Sequence, residues 1–179
     1  MLSFLYLDAF YALTALVLFL HEMEEWNIAK FHSENYENSL DESNLSARLW
    51  LFILSLTGLF FCILATVISS PAISASIFLI LSTFLTINGL QHILLTVITQ
   101  KYNPGLFFGG IVGTSLAMAF AIKVISEEVV PLWIFITITL LEFIPAIYDT
   151  VKSRKNNRLP NMVIQILRIG NFAEQKMVS

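Results

Sequence analysis

The apolar residues of this chain come in blocks of roughly 20 or more, the length that crosses a bilayer as a helix. Of its 179 residues 56% are hydrophobic and 13% are charged, about half the charge of a soluble domain. The pattern predicts an all-α, polytopic transmembrane helix bundle of about five spans, with no soluble domain of any size. The spans are drawn at about Leu2–Trp26, Leu49–Ser70, Ala72–Thr99, Gly105–Ser126 and Val129–Thr150. Residues 1–150 then form the bundle and residues 151–179 a basic cytoplasmic tail. The stretch Met1–Leu20 lacks a basic start and carries Asp8 where a leader would carry positive charge, so it is expected to be a retained first helix. A net charge of −3 excludes a nucleic-acid partner, and the single cysteine, Cys62, excludes an intrachain disulfide.

The connections carry turn signals. Pro71 separates the second and third spans, Pro104-Gly105 opens the fourth, and Pro131 fits the first turn of the fifth. The polar stretch Asn27–Ser46, with Glu34, Glu37, Asp41 and Glu42, reads either as a loop or as a short interfacial helix. The tail starts with Lys152, Arg154, Lys155 and Arg158, and the patch Met162–Ile169 reads as a short amphipathic helix on the membrane surface. The excess of Lys and Arg in the tail places it in the cytoplasm, which with five spans puts the N-terminus outside. The expected location is the plasma membrane of a bacterium. Trp26, Trp50 and Trp133 fall near span ends, as an aromatic belt requires.

In the fourth span Gly105, Gly109, Gly113, Ala117 and Ala121 recur every four residues. Such a ridge lets a neighbouring backbone approach closely. It reads as packing inside the bundle, or as a Gly105/Gly109/Gly113 face joining two copies of the chain.

Ionisable side chains at membrane depth mark functional candidates. Spans one, three and five run in one direction, so their C-terminal ends share a side of the membrane. His21, Glu22, Glu24 and Glu25 occupy the last turns of span one; Asn88, Gln91 and His92 the last third of span three; Glu142 and Asp149 the second half of span five. At about 1.5 Å per residue, His21, His92 and Glu142 lie roughly 8, 10 and 12 Å inside their helix ends. His21 and Glu25, and Asn88 and His92, are each four apart and share a helix face. Two imidazoles and several carboxylates are thereby aimed at one volume. That donor set suits zinc, iron or manganese, with zinc favoured. The expected ligands are His21, Glu25 and His92, joined by Glu24 and Glu142 as ligands or as carboxylates orienting an imidazole. Glu24, Glu142 and Asn88 are the expected catalytic groups.

Simpler roles stand beside these. Glu22 reads as part of a solvated helix end, although His21-Glu22-x-x-Glu25 also looks like a zinc-protease helix with its second His replaced. His32 is expected to be solvated. Thr86, Thr96 and Thr114 are expected to bond their own helix backbones.

His21-x-x-Glu24-Glu25, Asn88-x-x-x-His92 and Tyr102-x-Pro104-Gly105 together resemble the HXXEE-motif family of small integral membrane proteins, over about residues 10–120. The resemblance implies that His21, Glu24, Glu25, Asn88 and His92 act as a set, and it supplies no substrate. Glu142 rests on the topology alone. The function expected is a metal-dependent membrane hydrolase or transferase acting on a lipidic or amphipathic substrate in the cytoplasmic half of the bilayer. The alternatives are a small proton- or metal-ion-coupled transporter and a non-catalytic membrane partner such as an immunity protein.

Overall fold

A computed structural model describes residues 2–37, 39, 43–154 and 158–178 of the chain. Asp41, Glu42 and Lys155 lie outside the described residues. Among the described residues the structure is all-helical: α1 (Leu2–Glu24), α2 (Ile28–Asn35), α3 (Asn44–Val67), α4 (Pro71–Thr99), a wider π-type segment (Leu106–Gly113) running directly into α5 (Thr114–Ser126), α6 (Leu132–Arg154) and α7 (Asn161–Val178). Four helical stretches, Asn44–Val67, Pro71–Thr99, Leu106–Ser126 and Leu132–Ser153, are long and apolar enough to cross a membrane. The expectation of about five spans is thus met for four; α1, at 23 residues, has the length of a further one.

Sequence signals explain the boundaries. Ser43 caps α3, its hydroxyl accepting from the Ser46 amide at 2.9 Å. Pro71 sits at the first position of α4, where its missing N–H is no loss. Gly105, at φ +89°, turns the chain into the π-type segment. Both Gly109 N and Gly110 N donate to the Gly105 carbonyl at 3.0 Å, the second being the i→i+5 bond of π winding. Pro145 lies inside α6, where it withdraws one backbone donor.

Two apolar cores lie toward opposite ends. In one, Tyr11 of α1, Phe78 of α4 and Phe120 of α5 stack with ring centroids 4.5–6.1 Å apart. Tyr11 also reaches Ser74 Oγ at 2.8 Å, satisfying its hydroxyl. In the other, Ile28 and Ala29 of α2, Ala47, Trp50 and Leu51 of α3, and Ile164 and Leu167 of α7 pack together. Many other large apolar side chains, such as Phe52, Leu56 and Phe60 of α3 and Leu140, Leu141 and Ile144 of α6, are exposed. That is the outward face a lipid-embedded bundle presents.

Three expectations change. The polar stretch after span one holds the helix α2, which buries His32 to 7% exposure instead of leaving it solvated. Trp50 is buried in the second core and is not part of a belt, whereas Trp26 and Trp133 are exposed. The amphipathic tail helix is longer than Met162–Ile169 and is docked on the bundle. Ser46 Oγ donates to Asn171 Oδ1 at 2.5 Å, Ser43 Oγ to Glu174 Oε2 at 2.6 Å, and Gly170 lies flush against α3.

The small-residue ridge is consumed inside the molecule. Gly109, Gly113 and Ala117 are buried, and a Cβ on Gly109 would run into the His21 ring. Gly89 of α4 meets the same face, where its own Cβ would fall 2.5 Å from the Gly109 carbonyl oxygen. The Gly105/Gly109/Gly113 face is therefore closed to a second copy of the chain.

The α7 contact is testable. A Cβ at Gly170 would fall 2.5 Å from the Ser46 carbonyl oxygen and 2.8 Å from Trp50 Cδ1. Gly170→Val should destabilise the docking by roughly 1–3 kcal/mol, as overpacking does. Limited proteolysis should then release the α7 peptide faster than from wild type; unchanged cleavage would refute the docking.

Candidate metal centre

The last turns of α1 deliver His21 and Glu25 one helical turn apart, and α4 delivers Asn88 and His92 with the same spacing. Parallel spans bring the two pairs together. Glu25 Oε1 lies 3.0 Å from His92 Nε2 and 3.9 Å from His21 Nε2. The imidazole centroids are 5.1 Å apart with the rings nearly perpendicular. One donor atom from each of the three side chains lies within 4.8 Å of the others, and all three side chains are buried. Tetrahedral zinc with ligands at about 2.0–2.2 Å would space them about 3.3–3.5 Å apart. The two measured separations bracket that value.

The surroundings orient the rings. Asn103 Oδ1, which only accepts, lies 3.1 Å from His92 Nδ1. Nδ1 donates to it, and Nε2 is turned toward Glu25. Asn88 Nδ2 donates to His21 Nε2 at 2.9 Å. The other nitrogen of His21, Nδ1, is buried without a partner. The fourth wall is backbone. A Cβ at Gly105 would lie 2.6–2.7 Å from His92 Cε1, Glu25 Oε1 and His21 Cε1. Only glycine fits there, for want of space as well as for its positive φ.

Of the residues expected at the site, His21, Glu25, His92 and Asn88 meet. Glu24 does not join them. Its Oε1 accepts from the Phe107 amide at 3.0 Å and its Oε2 from the Phe108 amide at 2.8 Å, and the Tyr102 hydroxyl donates to Oε1 as well. It therefore satisfies the free N–H groups opening the fourth span. Glu24 is half-buried and shares a helix face with His21, but the donors it serves come from Phe107 and Phe108, far along the chain. Glu142 also stands outside the cluster, half-buried, with Oε2 lacking a partner. Glu22 departs most from expectation. It is 5% exposed, not a solvated helix end, and its Oε2 is likewise without a partner.

Asn103, the unspecified position of the Tyr102-x-Pro104-Gly105 motif, is not among the expected site residues, and Gly105 is expected there only as a turn and packing residue. A signal was available: Asn-Pro-Gly after a helix end is turn chemistry, and such turns place side-chain amides against nearby helix ends. Of the threonines, Thr86 bonds the Ser82 carbonyl and Thr114 the Gly109 carbonyl, while buried Thr96 Oγ1 has no partner.

Two adjoining cavities share Glu22 and Asn88 in their walls, and the smaller of them reaches Glu25 and His92. A smaller one of about 130 Å³ is lined by Glu22, Glu25, His32, Asn88, His92 and Asn103, among others. A larger one of about 640 Å³ lies between α3 and α6 over α4, with Glu22, Asn88 and Glu142 in its walls.

A model of a family described as a protein of unknown function with HXXEE motif matches residues 12–120. No curated protein and no solved structure matches the chain.

The Tyr102–Glu24 contact lies in the connection beyond the α4 end. Partial desolvation, together with the bond to the Glu24 carboxylate and its charge, pushes the Tyr102 phenol up to about 12. Because the folded value lies above the usual 10, whatever stability the contact supplies is complete below pH 10 and lost as pH climbs from about 10 to about 12. Ultraviolet titration of the tyrosines should show a late ionisation that Tyr102→Phe removes, and Glu24→Gln should move it back toward 10. A Tyr102 titrating near 10 in wild type would contradict the contact.

Proposed function

The chain belongs to the HXXEE-motif family, and for it we propose a metal-dependent integral membrane enzyme of the hydrolase or transferase type. Its substrate is lipidic or amphipathic, and its metal is held by His21, Glu25 and His92. Zinc is favoured over iron or manganese, because two imidazoles and one carboxylate at near-tetrahedral spacing leave a fourth position open.

The observation that carries this reading is the convergence of His21, Glu25 and His92, three buried side chains with one donor atom each within 4.8 Å of the others. With Nδ1 turned to Asn103, His92 presents Nε2 to Glu25 Oε1 at 3.0 Å. That contact in a dry site needs a proton or a metal cation between the two atoms. A proton would satisfy two atoms. Three convergent donor atoms, enclosed by a glycine wall, favour a metal.

A bound metal supplies Lewis acidity toward a carbonyl or phosphoryl oxygen, or activates water. The chain's own residues do the rest. Asn103 fixes the His92 tautomer. Asn88 occupies the His21 lone pair that a metal would use; once displaced, its amide is free to hold a substrate oxygen. Glu24 holds the opening turn of the fourth span in place and so positions Gly105. Proton transfer falls to Glu142 or Glu22, whose carboxyls border the adjoining cavities. With α1 as the fifth span, the N-terminus lies outside, and the site occupies the cytoplasmic half of the bilayer beside the basic tail.

Elemental analysis of the full chain, purified in mild detergent without chelator, tests this. Wild type should carry near-stoichiometric metal, zinc first among candidates, and His21→Ala and His92→Ala should lose it. Asn103→Leu should weaken binding by about 10–100-fold, as loss of an orienting partner does. Gly105→Ala should lower metal content without removing a ligand. A metal-free wild type would sink the proposal, and metal retained in both His variants would sink the ligand assignment. Flux of protons or metal ions in liposomes, abolished by Glu142→Gln, would instead support a transporter.

A further inference from the structure

The larger cavity lies apart from the candidate ligands, since none of His21, Glu25 and His92 lines it. Helix α6 packs on α4 and α7, which leaves a slot between α3 and α6 of about 640 Å³. That is the size of a small-molecule site. Its walls are apolar side chains such as Leu54, Phe61, Phe84 and Leu141, apart from a few polar groups. Among those, the ionisable ones from the described residues are all acidic: Glu22, Glu142 and Asp149. Asp149 is engaged by Asn161 Nδ2 at 3.1 Å. Glu22 and Glu142 each keep an oxygen without a partner, and Glu22 is 5% exposed.

An orphaned carboxyl group facing an apolar slot is costly unless something charged or hydrogen-bonding meets it. Resting on the proposed metal centre, we infer that the slot takes a single-chain amphiphile bearing an amine. Its hydrocarbon chain lies between α3 and α6, and its ammonium group lies between Glu22 and Glu142. An ammonium offers three donors and a positive charge, which two carboxylates with spare oxygens can accept. An anionic headgroup would meet only like charge. Glu22 follows His21 in sequence and lines both cavities, as does Asn88, which bonds His21. The cationic end of the amphiphile is thereby delivered beside the cluster. The slot lies between two helices whose outer faces carry exposed Phe60, Leu140 and Ile144, so the inferred ligand is one that partitions into the bilayer.

The probe is a dodecylamine carrying a photoactivatable diazirine in its chain, compared with the dodecanol of the same design. Both are applied to the full chain in lipid nanodiscs, with labelled peptides located by mass spectrometry and metal content measured in the same samples. In wild type the amine should label the α3 and α6 slot peptides about tenfold more than the alcohol, which corresponds to about 1.4 kcal/mol. Glu142→Gln and Glu22→Gln should each cut amine labelling toward the alcohol level, and Ala146→Phe should block both probes. Equal labelling by amine and alcohol in wild type would overturn the inference, as would an amine preference surviving the double Gln substitution. Metal present without amine preference would defeat the slot alone. Amine preference without metal would defeat the enzyme reading and leave the slot as a binding site.

Discussion

A carboxylate buried in a helix bundle must be matched where it stands, because a dry interior will not solvate it. Glu25 is 5% exposed and sits between two imidazoles, 3.0 Å from one and 3.9 Å from the other. Much of the surrounding structure follows from meeting that requirement. The histidines come from different helices, so α1 and α4 must run side by side in one direction. Each ring must be held, His92 by Asn103 at the nitrogen away from Glu25 and His21 by Asn88 at the nitrogen that faces it. The fourth span must come close enough to shut out water, which glycine at positions 105 and 109 permits.

Helical class and membrane-length segments were legible because they depend on the composition of long windows, where single residues average out. The meeting of His21, Glu25, Asn88 and His92 was legible for a different reason. Topology alone sets which helix ends share a side, and the i, i+4 spacing sets which side chains share a face. Neither inference needs a distance. Glu24 shows the limit of that reasoning. It sits beside Glu25 on the same helix, yet it turns to backbone donors at Phe107 and Phe108. Adjacent carboxylates part ways because the chain that meets them arrives from far away in sequence.

Glu22 and His32 were misplaced for a related reason. Both look like solvated polar residues near a span end, and without α2 and α7 they would be. Those two helices cover that end of the bundle: Ile28, Ala29 and His32 fold inward, and Leu167 and Gly170 press on α3. The burial of a polar residue near the membrane surface depends on elements that are themselves weak in sequence, a polar eight-residue helix and an amphipathic tail. The same covering removed Trp50 from the expected belt.

The π-type winding ties these observations together. Wider winding exposes backbone carbonyls and crowds side chains on the narrow face, so it persists where glycine relieves the crowding, as at positions 109, 110 and 113. It begins at the residue whose missing Cβ admits His92, Glu25 and His21, and its first free amides are held by Glu24 of the same α1 that carries two of those three. A shift of α1 along its axis would therefore move Glu24, the opening of the fourth span, Gly105 and the cluster together. The three-residue cluster and the glycine wall behind it are one mechanical unit. The wide slot beyond Glu22 and Glu142 is bounded by α6, which packs on α4 and α7, and it meets that unit at Glu22 and at Asn88, the partner of His21.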